Sequence, residues 1–308
     1  MKANKIVVVF LLLSSQCSLA RLDVLDHQIN STELINTIET RFCYISFVRV
    51  NGKKYIIKQK KSDCIRKIVG VVRDAITAHI AESFGKSLQL NHDLAHRVDV
   101  IPAGQEFIGK LRTDWPATIH TIAPGEMVKK QKELFAGMNI KQADIGFRHD
   151  MLEWMIKHPA LIVYVALDTF LCNHDRHRGN LFYNPKTSSF CAIDMDSSFK
   201  FNLCALACKN FTEMLQDQRL ELKRKEVNVL IKYKKYLQFL IDNYKSEDTL
   251  QMYDYFVQKA GFVEGSVLYT EKVALEIAGN RLVIMQSYED AQELVKIVGK
   301  LIEKFKKN

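Results

Sequence analysis

The residues best suited to chemistry gather in one stretch, 173–199, which reads N-H-D-R-H-R-G-N-L-F-Y, then a polar turn, then F-C-A-I-D-M-D-S-S-F. Asp175 and Asn180 precede a short apolar run at 181–183. Asp194 and Asp196 follow a second at 190–193, and Asn184, Pro185, Ser188 and Ser189 supply turn formers between the two. Two β-rich runs joined in this way predict a β-hairpin. A hairpin brings its open ends together, so three carboxylates and an amide are expected to meet at one place. Their oxygens are hard ligands, suited to Mg²⁺ that carries the phosphates of a nucleotide. The bland alternative is a solvated loop with a capping Asp, which leaves the shared position of these residues without a reason.

The spacing narrows the chemistry. Protein kinases carry a catalytic-loop Asp five residues before an Asn, and a strand-borne Asp follows after a hairpin. Asp175 and Asn180 are five apart, and Asp194 stands where the second strand ends. The loop D-R-H-R-G-N with the later A-I-D resembles the phosphatidylinositol 3/4-kinase superfamily, including type II phosphatidylinositol 4-kinases and the bacterial HipA-type serine/threonine kinases. That resemblance implies an α+β, two-lobed protein-kinase-like fold, with a small antiparallel-sheet N-lobe and a mainly helical C-lobe, and it implies ATP and Mg²⁺ as cofactors. Asn180 and Asp194 would hold the metal, and Asp175 would accept or orient the proton of an acceptor hydroxyl. His177 either assists near the γ-phosphate or simply packs the loop. Asp196 stands where the family has Gly after I-D-x. On an extended segment it would share a face with Asp194 and add a second metal contact, or it caps the next segment.

Other elements must bring these groups a nucleotide. Residues 41–50 are rich in β-branched and aromatic side chains, Asn51 and Gly52 form a two-residue hairpin turn, and 53–60 continue as a strand. The stretch Ile56-Ile57-Lys58-Gln59-Lys60 resembles the apolar-apolar-K-x-K of the family, which makes Lys58 the phosphate lysine. No G-x-G-x-x-G precedes it, which argues against the classical protein-kinase branch. Residues 71–84 read as a helix stopped by Gly85, with Asp74 at the position of the lysine's acidic partner and Glu82 as the alternative. Short strands are expected at 98–102, 107–111 and 117–122. The break at Ala123, Pro124 and Gly125 then marks a hinge, where the backbone of Ile122 and Ala123 would meet an adenine ring. Beyond it the text is helical, at 150–157, 160–171, 203–215, 227–244, 250–259, 271–278 and 290–305. Asp168 interrupts the apolar run of 160–171 and is expected to bond locally, which excludes a membrane span there. Residues 21–40 read as a helical or irregular lead-in.

The N-terminus has the form of a secretory signal: Lys2 and Lys5, an apolar run at 6–13, and Ser18-Leu19-Ala20 as a small-residue cleavage site. The domains expected are therefore a leader at 1–20, an N-lobe at 21–125 and a C-lobe at 126–308. A net charge of +9 favours anionic partners, namely ATP, acidic headgroups or an anionic membrane surface. No aromatic-interleaved basic motif points to nucleic acid. Six cysteines remain after the leader, and free thiols are expected, since a chain of this size needs no disulfide scaffold. The functions left open are an exported kinase acting on a lipid or protein hydroxyl, a HipA-like protein kinase or nucleotidyl transferase on the same fold, and a non-catalytic pseudokinase. Oligomeric state is not legible.

Overall fold

The structure is a computed structural model that describes residues 32–61, 68–104, 112–128, 151–173, 175–177, 179–200 and 223–307. The leader, the strand expected at 107–111, the helix expected at 203–215, and Cys64, Cys204 and Cys208 lie outside the described residues.

An antiparallel sheet fills the N-terminal part. Its strands are β1 (Thr32–Glu39), β2 (Cys43–Val50), β3 (Lys53–Lys60), β4 (Val98–Ile101) and β5 (Ala117–Thr121), in the order β1-β2-β3-β5-β4. β2 and β3 pair Val50 with Lys53 around Asn51 and Gly52, which both have positive φ, 47° and 78°. Two successive left-handed residues are the turn whose twist suits a two-residue hairpin. On β3, Tyr55, Ile57 and Gln59 point one way into a small core with Val48, Val50, Ile101, Ala117 and Ile119. Ile56, Lys58 and Lys60 point the other way.

Helix α1 (Gly70–Ser87) crosses between β3 and β4 and is buried almost all round. A helix covered on all sides has no need of a polar face, so Asp74, Arg73 and Glu82 inside it must each be paired. The C-terminal part holds α2 (Met151–Lys157), α3 (Leu161–Phe170), α4 (Arg224–Asn243), α5 (Ser246–Lys259) and α6 (Glu271–Lys307). Their apolar faces join α1 in one large core that includes Phe84, Leu167, Tyr233 and Tyr253. A second, three-stranded sheet, β6 (Glu126–Met127), β7 (Leu181–Asn184) and β8 (Ser189–Ala192), sits between the two parts. β6 pairs with β7, and on the opposite edge Ala95 bridges Ala192, with Ala192 N donating to Leu94 O at 2.8 Å and His96 N to Ala192 O at 3.1 Å.

Three expectations of secondary structure are corrected. The lead-in at 21–40 contains a strand, β1, because residues 32–39 find a partner in β2. The helices expected at 271–278 and 290–305 are one helix of 37 residues, which continues through a buried Gly279. Asp196 does not lie on an extended segment. Asp194 has φ 55° and ψ 57°, and Met195–Ser197 then form a 3₁₀ turn. Among the described residues no helix is long and apolar enough to cross a membrane.

Candidate active site

The hairpin expected from sequence is β7 and β8, and its open ends do meet. Ile193 N donates to Asn180 O at 3.0 Å, so the loop of Asp175 and the turn of Asp194 lie side by side. That loop is built from an ion pair beneath it. Asp168, on α3, accepts from Arg176 Nε at 2.8 Å and Nη2 at 2.9 Å, and from Asn173 Nδ2 at 2.8 Å. Asn173 Oδ1 in turn accepts the Asp175 N–H at 3.2 Å, and Arg176 also donates to Asn180 O at 3.0 Å. Burial alone would lower the pKa of Arg176, but Asp168 outweighs that and holds it above the ordinary value. Asp168 thus bonds locally, as expected. Arg176, to which sequence reasoning gave no role, forms the other half of the bracket.

Asn180 is buried. Its Oδ1 accepts the His177 N–H at 3.0 Å, and its Nδ2 donates to Asp175 O. In this arrangement the amide fixes the loop from inside. His177 Nδ1 accepts the Gly179 N–H at 2.9 Å, which places the ring's proton on Nε2 when it is neutral.

Three carboxylates from two segments surround one lysine. Lys58 Nζ donates to Asp194 Oδ1 and lies 3.5 Å from Asp196 Oδ2 and 3.9 Å from Asp74 Oδ2. Burial would pull its pKa down, but Asp196, Asp194 and Asp74 together hold it well above the usual lysine value. Asp74 is therefore the carboxylate that α1 brings to Lys58. Glu82, the alternative, pairs instead with Lys86 at 2.7 Å and Arg97 at 3.3 Å. One ammonium cannot serve three carboxylates equally, and Asp74 is the farthest. Burial pushes its carboxyl up to about 7 against the pull of Lys58. Its Oδ1 accepts the Met195 N–H at 3.1 Å, so the helix residue also pins the turn that carries Asp194.

Sequence reasoning missed a second layer. Lys60 donates to Asp196, and Arg73 Nε donates to Asp196 O at 2.7 Å while its Nη1 reaches Glu276 of α6 at 3.0 Å. Asp196 therefore neither faces away as a cap nor lines up with Asp194 along a strand. It anchors the turn to β3 and α1. The alternation of β3 could have pointed to Lys60, which shares a face with Lys58. Nearby, His120 Nδ1 and His96 Nε2 are 3.1 Å apart, and His120 Nε2 meets Thr118 Oγ1 at 2.6 Å. Burial and nearby cations keep both imidazoles neutral, with His96 lowered to about 3. Ile122 is half exposed and Ala123 buried where the chain leaves β5 for β6.

Cys172 corrects the expectation of free thiols. It is disulfide-bonded, whereas Cys43 and Cys191 are free and buried. Its apolar surroundings suit either state, so burial could not distinguish them.

No protein-family model and no curated protein matches the chain. Among solved structures it is similar to the Helicobacter pylori proinflammatory kinase CtkA, at 13% identity, with 85% of this chain and 96% of that chain covered and a TM-score of 0.48. It is also similar to the Shewanella oneidensis MR-1 toxin–antitoxin system HipA, HipB and its operator DNA, at 12% identity, with 94% of this chain and 71% of that chain covered and a TM-score of 0.41. At this distance neither assigns a substrate or a residue role to this chain.

Proposed function

We propose that this chain is a Mg²⁺-dependent kinase with two lobes, 21–125 and 126–308, that transfers the γ-phosphate of ATP to a lipid or protein hydroxyl. The observation that carries this reading is the convergence of Lys58, Asp74 and Asp194, with Lys58 and Asp194 136 residues apart in sequence, beside the braced loop of Asp175 and Asn180. Phosphoryl transfer asks for positioning and charge neutralisation more than for covalent help. The donor set fits a divalent cation, because its carboxylate and amide oxygens are hard ligands. Asp194, whose side chain is 45% exposed, would hold Mg²⁺ with Asn180 and Asp196. The bound metal would offset phosphate charge.

The chain's own residues do the rest. Lys58 binds the non-transferred phosphates, and Asp74 holds the turn of Asp194 to α1. Asp175, its backbone fixed at N and O by Asn173 and Asn180, orients the acceptor hydroxyl and takes its proton. His177 assists at the γ-phosphate, and the backbone of Ile122 and Ala123 meets the adenine. Export is supported by the signal-like N-terminus and by the disulfide at Cys172, a bond of oxidising compartments. The net charge of +9 suits work near anionic surfaces.

The test is to incubate residues 21–308 with γ-labelled ATP and Mg²⁺, beside Asp175→Ala and Asp194→Ala, offering phosphatidylinositol vesicles and a basic protein. Label transfer that both substitutions abolish supports the kinase, and the labelled acceptor names the branch. No label, together with no rise in melting temperature on adding Mg-ATP, would instead leave a non-catalytic binding module.

A further inference from the structure

Lys60 is the cation that the kinase reading leaves without a task. A lysine at the end of a strand ordinarily extends its stem and keeps its ammonium in water. The side chain of Lys60 is only 10% exposed, and it turns inward beside that of Lys58, which is 13% exposed. The alternation of β3 puts both on the cleft face, while Gln59 between them turns away to bond Arg112 O at 2.8 Å and Trp115 O at 3.0 Å. Lys60 is held by Asp196, whose carboxylate burial would raise but Lys58 and Lys60 together hold well below the usual range. Asp196 is positioned independently of Lys60, because Arg73 grips its carbonyl oxygen and is itself tied to Glu276. A lysine needed only to hold the turn would thus duplicate what Arg73 already does.

We infer that Lys60 is a second phosphate-binding lysine, held by Asp196 until a nucleotide arrives and handed to its phosphates when a metal takes over Asp196. The inference rests on the kinase reading and extends it. The charge balance carries it: the cluster sets Lys58 and Lys60 against Asp74, Asp194 and Asp196. A polyphosphate adds negative charge to a cluster that already holds three carboxylates, so with Lys58 alone in reach its phosphates would lack a second cation from the chain. A cation that exchanges one anionic partner for another stays paired throughout, which a buried ammonium requires. The ligand class implied is a nucleoside di- or triphosphate, preferred over the nucleoside.

The experiment measures dissociation constants of ATP and adenosine by calorimetry, with Mg²⁺ and with chelator, for the wild type, Asp196→Asn, and Asp196→Asn combined with Lys60→Met. Within the Asp196→Asn background Lys60 has no carboxylate of Asp196 left to hold. Loss of its ammonium there is expected to weaken ATP about tenfold or more, the scale of one charge-assisted hydrogen bond, and to leave adenosine within about twofold. The double substitution removes both members of the pair, so no lone buried charge threatens folding. Lys60→Arg, which keeps the charge, is expected to retain most of the ATP affinity. If the double and single variants bind ATP alike, Lys60 serves Asp196 alone and the inference is overturned. If the wild type itself binds no Mg-ATP, the kinase reading falls instead, which is a different result.

Discussion

Asp168→Ala is the most demanding test of how the loop of Asp175 is held. The substitution removes the carboxylate that accepts two charged hydrogen bonds from Arg176 and one from Asn173. Arg176 is 7% exposed and stays charged, so it is left as a buried cation with only carbonyl, amide and thioether contacts. Removing one partner of a buried pair costs about 3–5 kcal/mol. For a chain of this size that lowers the melting temperature by about 6–20 °C. Urea and thermal unfolding of the wild type and variant measure it directly. A second substitution separates the charge from the scaffold. Replacing both partners, Asp168→Leu with Arg176→Met, removes the orphan and should recover much of the stability, because apolar residues of similar volume replace buried ion pairs at little cost. Phosphate transfer should not recover, since Asn173 and Asn180, which hold the Asp175 backbone, lose the Asp168 and Arg176 groups that position them. If Asp168→Ala costs less than about 1 kcal/mol, the range of a solvated surface pair, the bracket is not what holds the loop.

Three further outcomes rest on contacts in the structure. Gly125→Ala would place a Cβ 2.2 Å from Tyr183 O at φ +88°, so a loss of at least about 1–3 kcal/mol is expected; an unchanged melt would refute the close approach of β6 and β7. Gly179→Ala puts a Cβ 2.7 Å from His177 Cε1. The ring can swing, so stability should barely change while transfer falls about 10- to 100-fold; equal activity would remove His177 from the reaction. Asp74 binds its proton more tightly folded than unfolded, with a pKa near 7 against 3.8. Its contribution is complete below about pH 4 and lost as pH rises toward 7. Asp74→Asn should therefore flatten the decline of unfolding free energy between about pH 4 and 7, and parallel profiles would contradict the assignment.

The hairpin, the Lys53–Lys60 strand and α1 were legible because their signals are local: alternation, a turn with two left-handed residues, and apolar residues at helical spacing, although α1 runs through Gly85, the expected stop, to Ser87. The meeting of Asp194 with the loop of Asp175 was legible for the same reason, since a hairpin fixes where its ends go. What failed depended on distant partners. Residues 32–39 carry a modest strand pattern, and it is β2 alongside them that decides the matter. Asp196 was misplaced because the left-handed Asp194 turns the chain, and no residue type announces that conformation in an aspartate. The helices expected at 271–278 and 290–305 are one, because Gly279 is a buried position within α6. The pairing of Lys60 with Asp196 spans 136 residues, beyond any local pattern. The disulfide at Cys172 was missed because its apolar flanks read as those of a buried thiol.

The β7–β8 hairpin is flanked on both outer edges by backbone from the N-terminal half and its exit, Ala95 beside Ala192 and Glu126 beside Tyr183. A fragment beginning just after residue 127 would strip both flanks from the very segment that bears Asp194, leaving open strand edges that invite self-association. Truncation at the apparent midpoint should yield aggregates rather than an autonomous half.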